Sequence, residues 1–177
     1  MSDRSARPTL DMSAIFDEHF DYVWSALRRL GVRDADVEDL VHEVFLKIHL
    51  RSADYDDTRP VRPWIFGFAY RVAADYRRLA RHRVEVLHAP TDTADPQRPV
   101  DEQIAAAEDR ALLESALGAV DVDRRAIFLL HDVEGVPVPE IATTLGVPLN
   151  TAYSRLRLAR EEFAAAAKRF RRAREAP

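Results

Sequence analysis

The sequence predicts an all-α protein of two small helical domains joined by a flexible linker, the second domain ending in a helix-turn-helix. Apolar residues recur at helical spacing through most of the chain, and no segment is a convincing strand. One segment rich in Pro, Asp and Thr interrupts this periodicity. We therefore expect a first domain at residues 10–83, a linker at 84–101 and a second domain at 102–174.

The first two helices are each predicted from an apolar stripe and from residues that favour a helix end. Asp11 or Ser13 can cap the first helix and Gly31 can end it, and its stripe comprises Ile15, Phe16, Phe20, Val23, Trp24 and Leu27. Asp34 or Asp36 can cap the second helix, whose stripe comprises Val37, Leu40, Val41, Val44, Phe45 and Ile48. The opposite face of the second helix is largely acidic, with Glu38, Asp39, His42, Glu43 and Lys47.

A third helix is predicted to begin near Pro63, after a loop at residues 52–60, and to run to about Arg83. It combines aromatic and basic side chains in one element. The aromatic residues are Trp64, Phe66, Phe68, Tyr70 and Tyr76, and the basic residues are Arg62, Arg71, Arg77, Arg78, Arg81 and Arg83.

The second domain is predicted to contain a helix from about Glu102 to Val120 and a short apolar helix around residues 126–130, capped by Asp121 or Asp123. A helix-turn-helix follows, because Ala142 supplies a small contact residue and Gly146 the turn. The buried side of this motif is expected to comprise Ile141, Leu145, Val147, Ala152, Leu156 and Phe163. The last helix runs from Asn150 into a basic tail.

Composition excludes several classes of protein. No apolar stretch is long enough for a membrane span, and the N-terminus lacks the apolar region of a signal peptide. The chain has no cysteine, so it forms neither a disulfide framework nor a thiolate metal site. We expect a soluble, cytoplasmic protein that does not insert into a membrane.

The net charge of −4 is unevenly distributed along the chain. Residues 1–61 carry −5, residues 62–83 carry +5, residues 84–123 carry −8 and residues 124–177 carry +4. Two basic blocks between acidic ones indicate two surfaces that face DNA, although ordinary charged helix faces would give the same pattern.

An enzymatic function is not predicted. His42 and His49 are seven residues apart and share a helical face with Asp39, but the His-Glu-x-x-His spacing of a zinc enzyme is missing. There is no phosphate-binding glycine loop and no Gly-x-Ser-x-Gly motif among only five glycines. We expect no catalysis, no cofactor and no metal.

Three motifs resemble the extracytoplasmic-function sigma factors, in the order found in that family. Residues 36–46, Asp-Val-Glu-Asp-Leu-Val-His-Glu-Val-Phe-Leu, resemble region 2.2. Residues 64–69, Trp-Ile-Phe-Gly-Phe-Ala, with Asp-Tyr-Arg-Arg at 75–78, resemble regions 2.3 and 2.4. Residues 140–148, Glu-Ile-Ala-Thr-Thr-Leu-Gly-Val-Pro, with Thr-Ala-Tyr-Ser-Arg-Leu-Arg-Leu-Ala-Arg at 151–160, are similar to region 4.2.

The resemblance implies a factor that brings RNA polymerase core enzyme to promoters and helps to open them. The second helix would bind core enzyme through Asp39, Leu40, Glu43 and Phe45. The third helix would capture the minus-10 element, by base stacking and phosphate contacts, through Trp64, Arg71, Arg77, Arg78 and Arg81. The last helix would bind minus-35 duplex through Thr151, Tyr153, Ser154, Arg155, Arg157 and Arg160.

The resemblance also implies an anti-sigma factor as a partner and a monomeric free chain. Three residues depart from the usual family pattern: His42, Arg71 and Tyr153. These departures are expected to affect promoter preference, with the largest effect from Tyr153. The alternative hypothesis is a stand-alone helix-turn-helix regulator. That class does not account for the aromatic and basic third helix, or for an acidic net charge that weakens unaided DNA binding.

Overall fold

The computed structural model describes residues 11–87 and 102–175, with the side chains of residues 11–80 and 110–174. Within these ranges all regular structure is helical, as predicted. The α-helices are α1 (Met12–Arg29), α2 (Asp34–Leu50), α3 (Val61–Leu87), α4 (Glu102–Gly118), α5 (Val122–Phe128), α6 (Val138–Leu145) and α7 (Leu149–Glu175). A short 3-10 helix (Ser52–Asp54) follows α2, and a π-helical turn (Leu129–Val133) follows α5.

The ends of α1 follow the sequence prediction, whereas the start of α2 does not. The Asp11 carboxylate accepts hydrogen bonds from the backbone N–H groups of Ser13 and Ala14 at 3.0 and 3.3 Å, and Gly31 adopts a left-handed φ of 91° just after α1. Helix α2 already begins at Asp34, so neither predicted aspartate is its N-cap. Both lie in the first turn, where a negative charge stabilises the positive end of the helix dipole.

The first domain is a three-helix unit in which α1, α2 and α3 all pack against one another. Val23, Val41, Ile48, Ile65 and Ala69 are completely buried there. Helix α3 continues four residues beyond position 83, so residues 84–87 of the predicted linker are helical. The remaining linker residues, 88–101, lie outside the described residues.

In the second domain, α4 and α5 pack along α7, and α6 packs across it. The Asp121 carboxylate caps α5 by accepting from the Asp123 N–H at 3.0 Å, as predicted. The predicted short helix differs in form, because the α-helix ends at Phe128 and continues as the π-helical turn. Gly146, with a left-handed φ of 68°, ends α6 and forms the predicted turn of the helix-turn-helix.

The two domains share one hydrophobic core, which the sequence did not predict. A single cluster of buried residues includes Ile65 and Ala69 of α3 together with Ile141 and Leu145 of α6. Gly67 lies at the closest approach, since a Cβ atom at this position would come within 3.2 Å of Thr144 Cγ2 and 3.3 Å of Thr144 O. The absence of a side chain at Gly67 therefore permits the observed contact between α3 and α6.

Arg125 of α5 links the domains through a fully buried guanidinium that is only 1% exposed. It donates hydrogen bonds to Gly118 O and Val120 O, at 2.9 and 2.7 Å, and to Arg29 O of the first domain at 3.1 Å. These carbonyls lie at the ends of α4 and α1, where the helix dipole is negative and favours a cation. Burial, followed by the charge of Arg77, lowers the pKa of Arg125 to about 10, so the side chain is protonated at neutral pH.

Candidate nucleic-acid and partner interface

The predicted partner-binding residues of α2 lie in different environments. Asp39 is exposed, Leu40 is half-buried, and Glu43 pairs with Lys47 at 2.7 Å. Phe45 is buried, and its ring centroid lies 4.7 Å from that of Phe16. The ring of Phe45 belongs to the core and supports α2 from inside, and its contact with a partner stays a prediction.

Two leucines of α2 that the prediction omitted are highly exposed. Leu46 is 59% exposed and Leu50 is 71% exposed. Asp39, Glu43, Leu46 and Leu50 follow one another at spacings of four, three and four residues, so they form one stripe on the helix surface. We call these four residues the α2 stripe. The signal was available in the sequence, since Leu46 and Leu50 fall outside the apolar stripe that runs through Val37, Val41, Val44 and Ile48.

The predicted minus-10 residues at the start of α3 are engaged in local and interdomain contacts. Trp64 is half-buried, with its ring 5.0 Å from Tyr55 and 4.9 Å edge-on to Phe68. Arg71 lies over the Phe68 ring and donates hydrogen bonds to Gly67 O at 3.1 Å and to Thr144 O of α6 at 3.0 Å. Arg71 is thus accessible, but it currently spans the two domains.

The remaining arginines of α3 differ in accessibility. Arg78 is exposed and pairs with Asp75 at 3.1 Å. Arg77 is half-buried and points inward, with its guanidinium donating to Gly31 O at 3.5 Å. The Arg77 side chain packs at the end of α1, and its contact with DNA stays a prediction. The Arg81 side chain lies outside the described side chains.

The exposed start of α7 presents most of the predicted minus-35 residues to solvent. Tyr153 is 52% exposed, Ser154 is exposed, and Thr151 is half-exposed. Arg157 is also exposed and makes only an i,i+4 ion pair with Glu161 at 2.7 Å. Ala152 and Leu156 face the interior, as predicted for the buried side of the motif. Leu149 is 44% exposed and is the first residue of α7, which begins one residue before the predicted start at Asn150.

Arg155 and Arg160 are held by carboxylates of their own chain. Arg155 lies 3.2 Å from Asp123 and is largely covered. Arg160 makes a bidentate contact to Asp132, at 2.9 and 2.5 Å, which lowers the pKa of that carboxyl. Both arginines would have to exchange these carboxylates for DNA before acting as the sequence predicts.

Two tyrosines of the first domain donate hydrogen bonds to carboxylates of the second. Tyr22 lies 2.9 Å from both carboxylate oxygens of Glu134. Tyr70 lies 2.9 Å from Asp123, which also holds Arg155. Burial first, and then the hydrogen bond to Asp123, raises the pKa of Tyr70 to about 12. Asp123 thus joins Tyr70 of α3 to Arg155 of α7, and Arg71 joins α3 to α6.

Two protein-family models match the chain, one in each of the two domains. Residues 15–83 match the model for sigma-70 region 2, and residues 110–163 match that for sigma-70 region 4. The sequence is 34% identical over 149 residues to the ECF RNA polymerase sigma factor SigL of Mycobacterium tuberculosis, covering 84% of each chain. The chain belongs to the sigma-70 family, among its extracytoplasmic-function (ECF) sigma factors. This family consists of transcription initiation factors.

Other relatives of this sigma factor extend the likeness. The RNA polymerase sigma factor CnrH of Cupriavidus metallidurans is 28% identical over 148 residues, which cover 79% of this chain and 78% of CnrH. A structure of CnrH in complex with the cytosolic domain of CnrY gives a TM-score of 0.57 at 25% identity, covering 87% of this chain and 85% of that one. The sigma factor RpoE of Bartonella quintana, solved with the anti-sigma factor NepR, gives a TM-score of 0.72 at 17% identity, covering 89% and 97%.

The chain matches sigma-70 region 2 as well as region 4. The match to region 2 does not favour the alternative hypothesis of a stand-alone helix-turn-helix regulator. Across residues 11–87 and 102–175, no helix has both the length and the apolar character needed to cross a membrane.

Proposed function

We propose that this ECF sigma factor binds core polymerase through α2, the minus-10 element through α3 and the minus-35 element through the start of α7. The α2 stripe is the observation that carries this assignment. A stand-alone regulator has no evident use for two exposed leucines beside two carboxylates on a helix remote from its helix-turn-helix. A factor that docks on a large protein partner does.

The α2 stripe combines two kinds of recognition. Asp39 and Glu43 give its first half a negative charge, which favours a basic partner surface and speeds association. Leu46 and Leu50 provide apolar area that is now in water, and burying one such side chain contributes about 1.5 to 3 kcal/mol. Buried Phe45 supports the stripe from beneath, by packing on Phe16.

We expect the double variant Leu46→Ala, Leu50→Ala to bind core polymerase at least about tenfold more weakly, because most of the apolar contact area is removed. Comigration on gel filtration and a fluorescence titration with core enzyme measure the effect. Charge reversal at Asp39 and Glu43 should also weaken binding, more strongly at low salt than at high salt.

Leu113→Ala is the matched control, since Leu113 is 49% exposed on α4 and lies outside the α2 stripe. It should bind like the unmodified chain. Circular dichroism checks that every variant is folded. Unchanged binding by both α2 variants would remove the stripe from the polymerase interface.

The basic face of α3 suits single-stranded DNA once the domains separate. Arg78 is already exposed, and Arg71 can reach phosphate after leaving Thr144. Trp64 and Phe68 form a partly exposed aromatic pair beside Arg71, and stacking on such a surface contributes roughly 1 to 3 kcal/mol per base. A full transcription bubble costs more than this, so polymerase must supply the remainder.

Arg157 is the most accessible candidate for reading the minus-35 duplex. Arg157→Ala in the holoenzyme should reduce minus-35 affinity by about 1 to 3 kcal/mol, because a bidentate contact to guanine is lost. Fluorescence anisotropy with the preferred duplex and with random duplex measures this. An equal loss on both duplexes would identify Arg157 as a phosphate contact and overturn its role in base reading.

Two related sigma factors were solved with partners, RpoE with the anti-sigma factor NepR and CnrH with the cytosolic domain of CnrY. We infer that an anti-sigma factor also restrains this chain. We further infer that the chain acts in the cytoplasm and catalyses no reaction itself, since RNA synthesis belongs to polymerase.

A further inference from the structure

Two large apolar side chains at the start of α7 are exposed to solvent. Leu149 is 44% exposed and Tyr153 is 52% exposed. They are four residues apart on one helix, so their side chains occupy neighbouring positions on the same face. This pair comprises the first position of the second helix of the helix-turn-helix and the position one turn later.

The pair does not belong to the protein core. Ala152 and Leu156 follow Leu149 at three and seven residues and are buried against the rest of the domain, so the pair lies at the edge of the buried face of α7. The exposed row continues from Leu149 and Tyr153 to Arg157, which lies one further turn along and is exposed. The pair therefore shares its surface with a cation.

The electrostatic surroundings specify the kind of partner that covers this pair. Residues 149–162, the half of α7 that carries the pair, have a net charge of +1, and residues 163–174 of the same helix add +5. A polyanion complements that charge, and the N-terminal residues of the second helix are the part of such a motif that reaches base edges. In the major groove, thymine alone of the four bases offers an apolar group, its C5 methyl.

We propose that Leu149 and Tyr153 recognise thymine C5 methyl groups in the major groove of the minus-35 duplex. This inference rests on the proposed function and adds to it which DNA base the start of α7 recognises. Arg157, on the same row, would contact the duplex next to the methyl-reading pair. Base preference at the thymine is then set by apolar contact and at the neighbouring position by the arginine.

The proposal has a test that changes one methyl group. The sigma factor is assembled with core polymerase, and its preferred minus-35 duplex is selected from random-sequence DNA. Each thymine of that duplex is then replaced, one at a time, by deoxyuridine, which keeps base pairing and lacks only the methyl. Affinity should fall about fourfold at one or two positions, which corresponds to about 0.8 kcal/mol for one buried methyl.

The variants assign the effect to the pair. Leu149→Ala, Tyr153→Ala should bind thymine and deoxyuridine duplexes equally, whereas Tyr153→Phe and the control Leu113→Ala should retain the discrimination. A selected duplex without a methyl-sensitive thymine, or sensitivity that persists in the double variant, overturns this inference and leaves the proposed function intact. A holoenzyme that selects no minus-35 sequence overturns both.

Discussion

Arg125→Met is expected to lower the free energy of unfolding by about 2 to 4 kcal/mol. The buried guanidinium donates to Gly118 O, Val120 O and Arg29 O, and methionine can replace none of these hydrogen bonds. A buried carbonyl left without a donor costs about 1 to 3 kcal/mol, and of the three hydrogen bonds the one to Val120 O is buried while those to Gly118 O and Arg29 O are part-buried. The loss is partly offset, because the desolvated charge and its repulsion with Arg77 disappear.

Urea unfolding followed by circular dichroism measures this change. Arg51→Met is the matched control, because Arg51 is highly exposed and its ion pair is with nearby Asp54. Loss of such a surface pair should change stability by less than about 1 kcal/mol. Equal stability of the two variants would show that Arg125 contributes nothing beyond an ordinary surface arginine.

Gly67→Leu is expected to separate the two domains while each remains helical. A Cβ atom alone would already approach Thr144 Cγ2 to 3.2 Å, and leucine adds three further carbon atoms at this contact. Overpacking of this kind typically costs 1 to 3 kcal/mol or more, and α6 can avoid it by moving away from α3. Leucine also favours helix more than glycine does, so α3 itself is not weakened.

The absence of cysteine makes this separation simple to measure. Cysteines introduced at exposed Arg51 and Glu114, one in each domain, accept a donor and an acceptor dye. Energy transfer should fall in Gly67→Leu. It should not change in Gly118→Leu, since within the described part of the chain no atom beyond the adjacent residues and the backbone of α4 lies within 4 Å of the added Cβ there. Unchanged transfer in Gly67→Leu would show that the α3–α6 contact does not hold the domains together.

Sequence periodicity predicted the helices well because local spacing determines which face of a helix is apolar. The Asp11 cap, Gly31, the Asp121 cap and the Gly146 turn were all readable for the same reason. Leu46 could also have been predicted as exposed, since it points about 100° away from Phe45 and falls outside the apolar stripe. The structure buries Phe45 and exposes Leu46.

The contacts between the domains could not be predicted from the sequence. Arg125 lies in a run of charged residues with Asp123 and Arg124, and nothing local distinguishes it as buried. Its role depends on Arg29, 96 positions away. Gly67 likewise has meaning only beside Thr144. The same limit applies to two predicted DNA contacts: Arg71 lies in the domain interface, and Arg155 pairs with Asp123, the residue that Tyr70 binds from the other domain.

The carboxylate of Asp123 has a consequence for cooperativity. It binds Tyr70 of α3 through one oxygen and Arg155 of α7 through the other. When Arg155 binds the minus-35 element as proposed, it leaves the Asp123 carboxylate. That carboxylate then has one partner fewer besides Tyr70. Linkage of this kind is reciprocal, so the free energy by which one promoter element changes the binding of the other is the same in both directions. The two halves of a promoter would then be recognised as one ligand, and neither half alone would report the full affinity.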